Sequence, residues 1–155
     1  SDTAESFDDL GTLYREQKKY AEAKSLYQRA LHIKEQALGA EHPYIAYSFA
    51  NLAKLSSEQK RHEEAEFFYK KALHIREQLL NPYHLLTAET LHDLACLYTA
   101  QGKYLDALPF YQHALTIRER SLGPNHQITV ETRTKYTELL RAMGQEEEAE
   151  SIEMA

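Results

Sequence analysis

Eight histidines in 155 residues are the groups in this sequence most able to do chemistry. An imidazole can ligate a metal, move a proton or accept a hydrogen bond, and spacing decides among these. His42, His84 and His126 stand 42 residues apart. Equal spacing puts them on successive copies of one unit, roughly 10 Å apart at the packing distance of neighbouring helices. Two ligands bound at ~2 Å to one zinc cannot be that far apart. The expected duty is local, hydrogen bonding to backbone in a loop, and no metal site is expected. His62-Glu63-Glu64-Ala65-Glu66 opens like a zinc-binding helix but lacks the second histidine four residues on. His92 and Cys96 are four apart, which puts them on one helix face and allows a thiol–imidazole pair. One reading of that pair is a minor thiol or hydrolase activity; the other is a small residue on a groove wall. Neither GxxxxGK[ST] nor GxGxxG occurs, and no strand precedes Gly102-Lys103 to build a phosphate loop. Carboxylates abound, but no apolar pocket that would raise one for acid catalysis is visible. No catalytic residue and no cofactor are expected.

The elements that carry these residues repeat with the same 42-residue period. Leu13, Leu55 and Leu97 share one slot, as do Ala23, Ala65 and Ala107, and Tyr27, Tyr69 and Tyr111. Ala30, Ala72 and Ala114 follow, then Ile33, Ile75 and Ile117. Self-similarity at such a period is the mark of stacked helical repeats, which present extended surfaces to partners. In the first copy Phe7, Leu10, Leu13 and Tyr14 form a helical stripe over residues 4–17, with Gly11 beside it allowing close approach. Gln17-Lys18-Lys19 is the turn, and its third-copy counterpart Gln101-Gly102-Lys103 contains a glycine. A long second helix over about 20–37 alternates large and small residues, so that tyrosine knobs fill gaps beside alanines. Gly39 and Gly123 suit a left-handed C-terminal cap, and Asn81, in the same slot of the middle copy, is the next best residue for it. Pro109 is expected to bend the third long helix at low cost near its start. The repeats run over about 4–45, 46–87 and 88–129, with a partial capping repeat over 130–155, in a single domain 1–155. In that last copy Glu153 takes the tyrosine slot, as a terminal helix needs. The start has no such cap, which predicts more protein upstream.

Composition narrows the function classes. Hydrophobic residues make up 43% and charged residues 27%, a globular balance. A net charge of −6 argues against nucleic acid, which rewards a basic face. The lone Cys96 excludes an internal disulfide. No secretory leader and no run of ~20 apolar residues is visible. A soluble, cytoplasmic protein that binds neither nucleic acid nor membrane is expected.

Leu10, Gly11, Tyr14, Tyr20, Ala23, Tyr27 and Ala30 resemble the tetratricopeptide repeat, as do Leu94, Ala95, Tyr98, Gly102, Tyr104, Ala107, Tyr111 and Ala114. That family's usual period is 34; the eight additional residues here lengthen the second helix and add a Leu-Gly-x-x-His loop. The variant resembles the repeats of kinesin light chains and of the C-terminal arrays of bacterial signal-transduction ATPases. The resemblance implies an all-α solenoid of helical hairpins, each a helix A and a helix B, wound into a right-handed superhelix. It also implies a concave groove lined by the A helices that holds a protein or peptide ligand, as the docking or sensor part of a larger protein. Ser56 and His62 replace tyrosines of the other copies and Lys60 replaces the turn glycine, so the second repeat is expected to be the least ideal.

On that resemblance the groove residues are Glu5, Asp8, Asp9 and Thr12 in the first copy and Tyr47, Asn51 and Lys54 in the second. Glu89, His92, Asp93 and Cys96 follow in the third. Asp9, Asn51 and Asp93 hold the slot in which such domains often place an asparagine that binds a peptide backbone. Only Asn51 can both donate and accept. Glu5, Asp8 and Glu89 lend one end of the groove a negative potential, so ligands with basic residues are expected. A further reading is an oligomerisation spacer that self-associates weakly through its open N-terminal end.

Overall fold

The computed structural model of the chain describes residues 2–155, and every regular element among them is an α-helix. The chain divides into two compact units, Ser1–Leu80 and Asn81–Ala155. The first contains α1 (Asp2–Glu16), α2 (Tyr20–Leu38), α3 (Pro43–Glu58) and α4 (His62–Leu79). The second contains α5 (Leu85–Ala100), α6 (Tyr104–Leu122), α7 (Gln127–Ala142) and α8 (Glu146–Met154). Within each unit successive helices pack on one another, the A helices being α1, α3, α5 and α7.

The B helices bury one stripe at spacings of four, three and four. It consists of Ala23, Tyr27, Ala30 and Lys34 in α2, and Ala65, Tyr69, Ala72 and Arg76 recur on α4. In α6 the same slots hold Ala107, Tyr111, Ala114 and Arg118. Each tyrosine fills space that small residues leave open. The ring of Tyr27 lies against Gly11, where an added Cβ would stand 2.8 Å from two ring carbons. α6 continues through Pro109, which sits near enough to the helix start to remove only one backbone bond.

The turns between A and B helices need a positive φ, adopted by Gly102 and Gly144 but also by Lys18 and Lys60, at 62° and 59°. Gly39 and Gly123 also have positive φ, at 86° and 90°, but ψ of 173° and 160° places them outside the left-handed helical region and in one open essentially to glycine alone. The expected left-handed Asn81 is not found. α4 ends a residue earlier, on an extended Leu80, and Asn81 instead turns the chain with its side chain, Oδ1 accepting from the Tyr83 amide at 2.8 Å. A carboxamide that can close its own turn removes the need for a strained backbone.

The buried face of α1 is not the expected stripe. Ala4, Asp8 and Gly11 are its buried residues, whereas Leu10 and Leu13 are 39% and 47% exposed. Their counterparts Leu52 and Leu55 are buried against Ala23 and Tyr27 of α2, and no helix among the described residues covers α1 in the same way. At the other end Arg141 of α7 binds both Glu146 and Glu153, so the polar replacement in the tyrosine slot is held at the surface.

Candidate functional site

In the first unit, α1 and α3 carry the first seven groove residues over a polar floor. Asp8, only 2% exposed, accepts from the Lys34 ammonium, itself buried. Lys34 also donates to Ser48 Oγ at 3.0 Å and to the Tyr44 carbonyl at 3.4 Å. Burial pushes the Asp8 carboxyl above its ordinary value, against the opposing pull of Lys34 and Asn51. Asp8 therefore lends the surface no negative field: its slot, buried also at Ala50 and His92, faces inward, and a cation sits on it. Asn51 is buried as well; its side chain supports the Asp8 carboxylate, though neither its Nδ2 nor Asp8 Oδ1 is in a well-formed hydrogen bond. Thr12 is half-buried, its hydroxyl 2.9 Å from that of Tyr27, and Lys54 is half-buried too. Exposed on this face are Glu5, Asp9 and Tyr47, whose ring is 46% exposed and lies 5.1 Å from Lys34 Nζ.

The second unit is treated by itself. His92, expected on the groove surface, is only 6% exposed, because its slot faces α6 and α7. Thr132 Oγ1 accepts from Arg118 Nη1 at 2.6 Å and lies 3.1 Å from His92 Nδ1. The same hydroxyl can give its proton to the Ile128 carbonyl, 3.4 Å away, and so joins Arg118, His92 and the backbone of α7 in one buried polar cluster. Burial, aided by the nearby Arg118 charge, lowers the His92 pKa to about 4. Cys96 is half-buried and its Sγ accepts from the Tyr111 hydroxyl at 3.4 Å. Burial raises the thiol pKa. A neutral imidazole tied to threonine beside a thiol held protonated is the reverse of an activated thiolate pair. Glu89 and Asp93 are half-buried and support the Arg118 charge electrostatically.

The sign of the His92 effect sets a pH dependence. An imidazole with a folded pKa near 4 and an unfolded one near 6.5 binds fewer protons folded than unfolded between those values. Its contribution is fully present above pH 6.5 and is lost as pH falls toward 4, up to ~3 kcal/mol. Urea midpoints at pH 7 and pH 4.5 should separate less in His92→Gln than in the native chain.

The largest feature overlooked in the sequence is the buried cation at one slot of α2, α4 and α6: Lys34, Arg76 and Arg118. The signal was present: extending the Ala-Tyr-Ala stripe by four residues reaches it each time. Ser48, Thr90 and Thr132, all buried, share a second polar slot on the A helices. Elsewhere in the first unit an open cavity of about 500 Å³ is bordered by Phe49, Phe67, Lys71 and His74, with the Lys71 ammonium over both rings. Among the described residues no group of three or more His, Cys, Asp or Glu is placed to hold a metal ion. No described helix is long and apolar enough to cross a membrane.

The tetratricopeptide repeat pattern matches residues 2–78, 58–119 and 97–153, nearly the whole chain. The chain belongs to the tetratricopeptide repeat family. No curated protein matches it in sequence. Among solved structures these tetratricopeptide repeats are similar to BtubC (BKLC) from P. vanneervenii, with a TM-score of 0.87 and 22% identity over 96% of this chain and 59% of that one. They are also similar to the nearly identical TPR-like repeats of the kinesin light chain type from Podosopora anserina, with TM-score 0.85 and 23% identity over 96% and 70%. Aspartyl phosphate phosphatase F from Bacillus subtilis has a TM-score of 0.85 at 20% identity, over 97% and 38%. The chain thus spans about three fifths of the length of BtubC. At such identities the likeness is one of fold, an all-α array of helical hairpins of the kinesin light chain kind.

Proposed function

We propose that this chain is a protein- or peptide-binding scaffold, the docking part of a larger protein, and that in its first unit the ligand lies along α1 and α3. The observation that supports this most is the polar floor under an exposed aromatic. Tyr47 stands over a fixed cation, one turn before Asn51, whose amide supports the Asp8 carboxylate without a well-formed hydrogen bond, and the exposed carboxylates of Glu5 and Asp9 lie on the same helix pair. A small turn of the Asn51 side chain offers a ligand backbone a donor and an acceptor together. Lys or Arg of the ligand then meets Glu5 and Asp9, each exposed pair contributing ~0.2–1 kcal/mol. Affinity is accordingly micromolar and salt-sensitive.

A peptide array probed with the native chain, Asn51→Ala and Asp9→Lys tests this. The native chain should select basic sequences, Asn51→Ala should weaken all of them, and Asp9→Lys should change which are selected. Selection of acidic peptides, or an unaltered pattern with a folded Asn51→Ala, would remove the ligand from this face. The thiol-centred alternative gains little from the Cys96 geometry, where burial holds the sulfur protonated and outweighs the opposing hydrogen bond donated by Tyr111.

A further inference from the structure

We propose that His42, His84 and His126 form a set of pH-operated helix caps, each holding the first turn of an A helix while neutral and releasing it when protonated. In all three the imidazole Nδ1 accepts from the backbone N–H two residues on: Tyr44 at 3.2 Å, Leu86 at 3.1 Å and Ile128 at 3.1 Å. All three residues have extended backbone, as a capping residue requires. The B helices differ. Their leading residues Lys19, Arg61, Lys103 and Gln145 make no side-chain cap bond.

Asparagine, aspartate, serine and threonine are the ordinary residues for this position, and none of them takes up a proton near neutrality. An imidazole nitrogen accepts only while it carries no proton, so the observed bonds require the neutral Nε2–H tautomer. Protonation turns Nδ1 into an N–H facing another N–H, replacing an attraction with a repulsion. It also sets a positive charge at the positive end of the helix dipole. Charged groups lie near each cap. Near His42 are Glu41, its neighbour in sequence, and Lys34 of α2, bonded to the Tyr44 carbonyl, with the Tyr44 ring 5.0 Å away. Near His84 is Arg120 of α6, stacked 3.7 Å over the Tyr83 ring, and Asn81 and Ser121 border the same depression. Near His126 is Arg133 of α7, which donates to the Pro124 carbonyl and pairs with Glu119 of α6. A cation thus approaches every cap, opposed at His42 by Glu41 and by the Asp8 carboxylate paired with Lys34, and at His126 by Glu119.

The test compares melting temperatures of the full chain and of its triple variant His42→Asn, His84→Asn, His126→Asn at pH 7.5 and pH 5. Asparagine keeps an acceptor at each cap without a titrating proton. The two proteins should melt within a few degrees of each other at pH 7.5. At pH 5 the native chain should have lost roughly 5–10 °C more than the variant, three ordinary caps' worth for a chain of this size. His92 and the carboxylates titrate in both proteins and cancel from the difference. Nitrogen-15 spectra of the imidazoles supply a second reading that needs no variant. Nδ1 should be unprotonated at pH 7.5 in all three, and the amide protons of Tyr44, Leu86 and Ile128 should move with the imidazole titration. Parallel melting curves for the two proteins, or an Nδ1–H tautomer at neutral pH, would overturn the proposal. If the triple variant does not fold, His126→Asn alone with the amide readout carries the same decision.

Discussion

Asp8→Ala should destabilise the chain by about 3–5 kcal/mol, as expected when one partner of a buried ion pair is removed. Lys34 would be left with Ser48 Oγ and one carbonyl for a charge that only Asp8 neutralises at hydrogen-bond distance. Burial already outweighs the attraction of Lys34 in setting the Asp8 pKa, which marks the pair as costly to bury. The double change Asp8→Leu with Lys34→Met should therefore come out close to the native chain or above it. Urea unfolding of the single and double variants decides the matter. If the double variant is as unstable as Asp8→Ala, the loss comes from packing and not from a stranded charge.

Tyr27→Ala should cost a similar ~3–5 kcal/mol, from lost apolar transfer and a cavity that cannot collapse. Tyr27 is fully buried between helices, its ring pressed on Gly11 and its hydroxyl on Thr12. Tyr69→Ala, in the same slot of α4, should behave alike. Glu153→Ala changes the corresponding slot of α8, where the side chain reaches Arg141 at the surface, and should leave the urea midpoint almost unmoved. Equal midpoint shifts for Tyr27→Ala and Glu153→Ala would contradict the register.

The repeat was readable because it rests on local periodicity. Ala23, Tyr27 and Ala30 recur on α4 and α6, and that spacing alone specifies which face is buried. Tyr20–Leu38 matches the expected 20–37 for the same reason. The polar floor was not readable in this way. Lys34 finds Asp8 at a separation of 26 residues, and a periodic pattern registers an isolated charge as surface. The exposure of Leu10 and Leu13 was hidden too: they look like Leu52 and Leu55 in sequence, but only the latter pair has a helix against it. Of the candidate site, Glu5, Asp9 and Tyr47 are exposed as expected. Asp8, Asn51 and His92 face inward, a consequence of slot geometry that residue type does not reveal.

Repeats built on one pattern carry an inherent hazard, since each of α2, α4 and α6 has the right Ala-Tyr-Ala stripe to dock on a neighbour's A helix. The slot opposite the buried cation is not repeated with the rest: it is Asp8 in the first copy, Ala50 in the second and His92 in the third. An α2 hairpin folded against α3 instead of α1 would bring Lys34 to Ala50 and enclose an ammonium with no carboxylate. Such an exchange, between segments of one nascent chain or between two chains, incurs the cost of that stranded charge, whereas the native pairing does not. The irregular residue in an otherwise regular array thus counts the repeats as they fold.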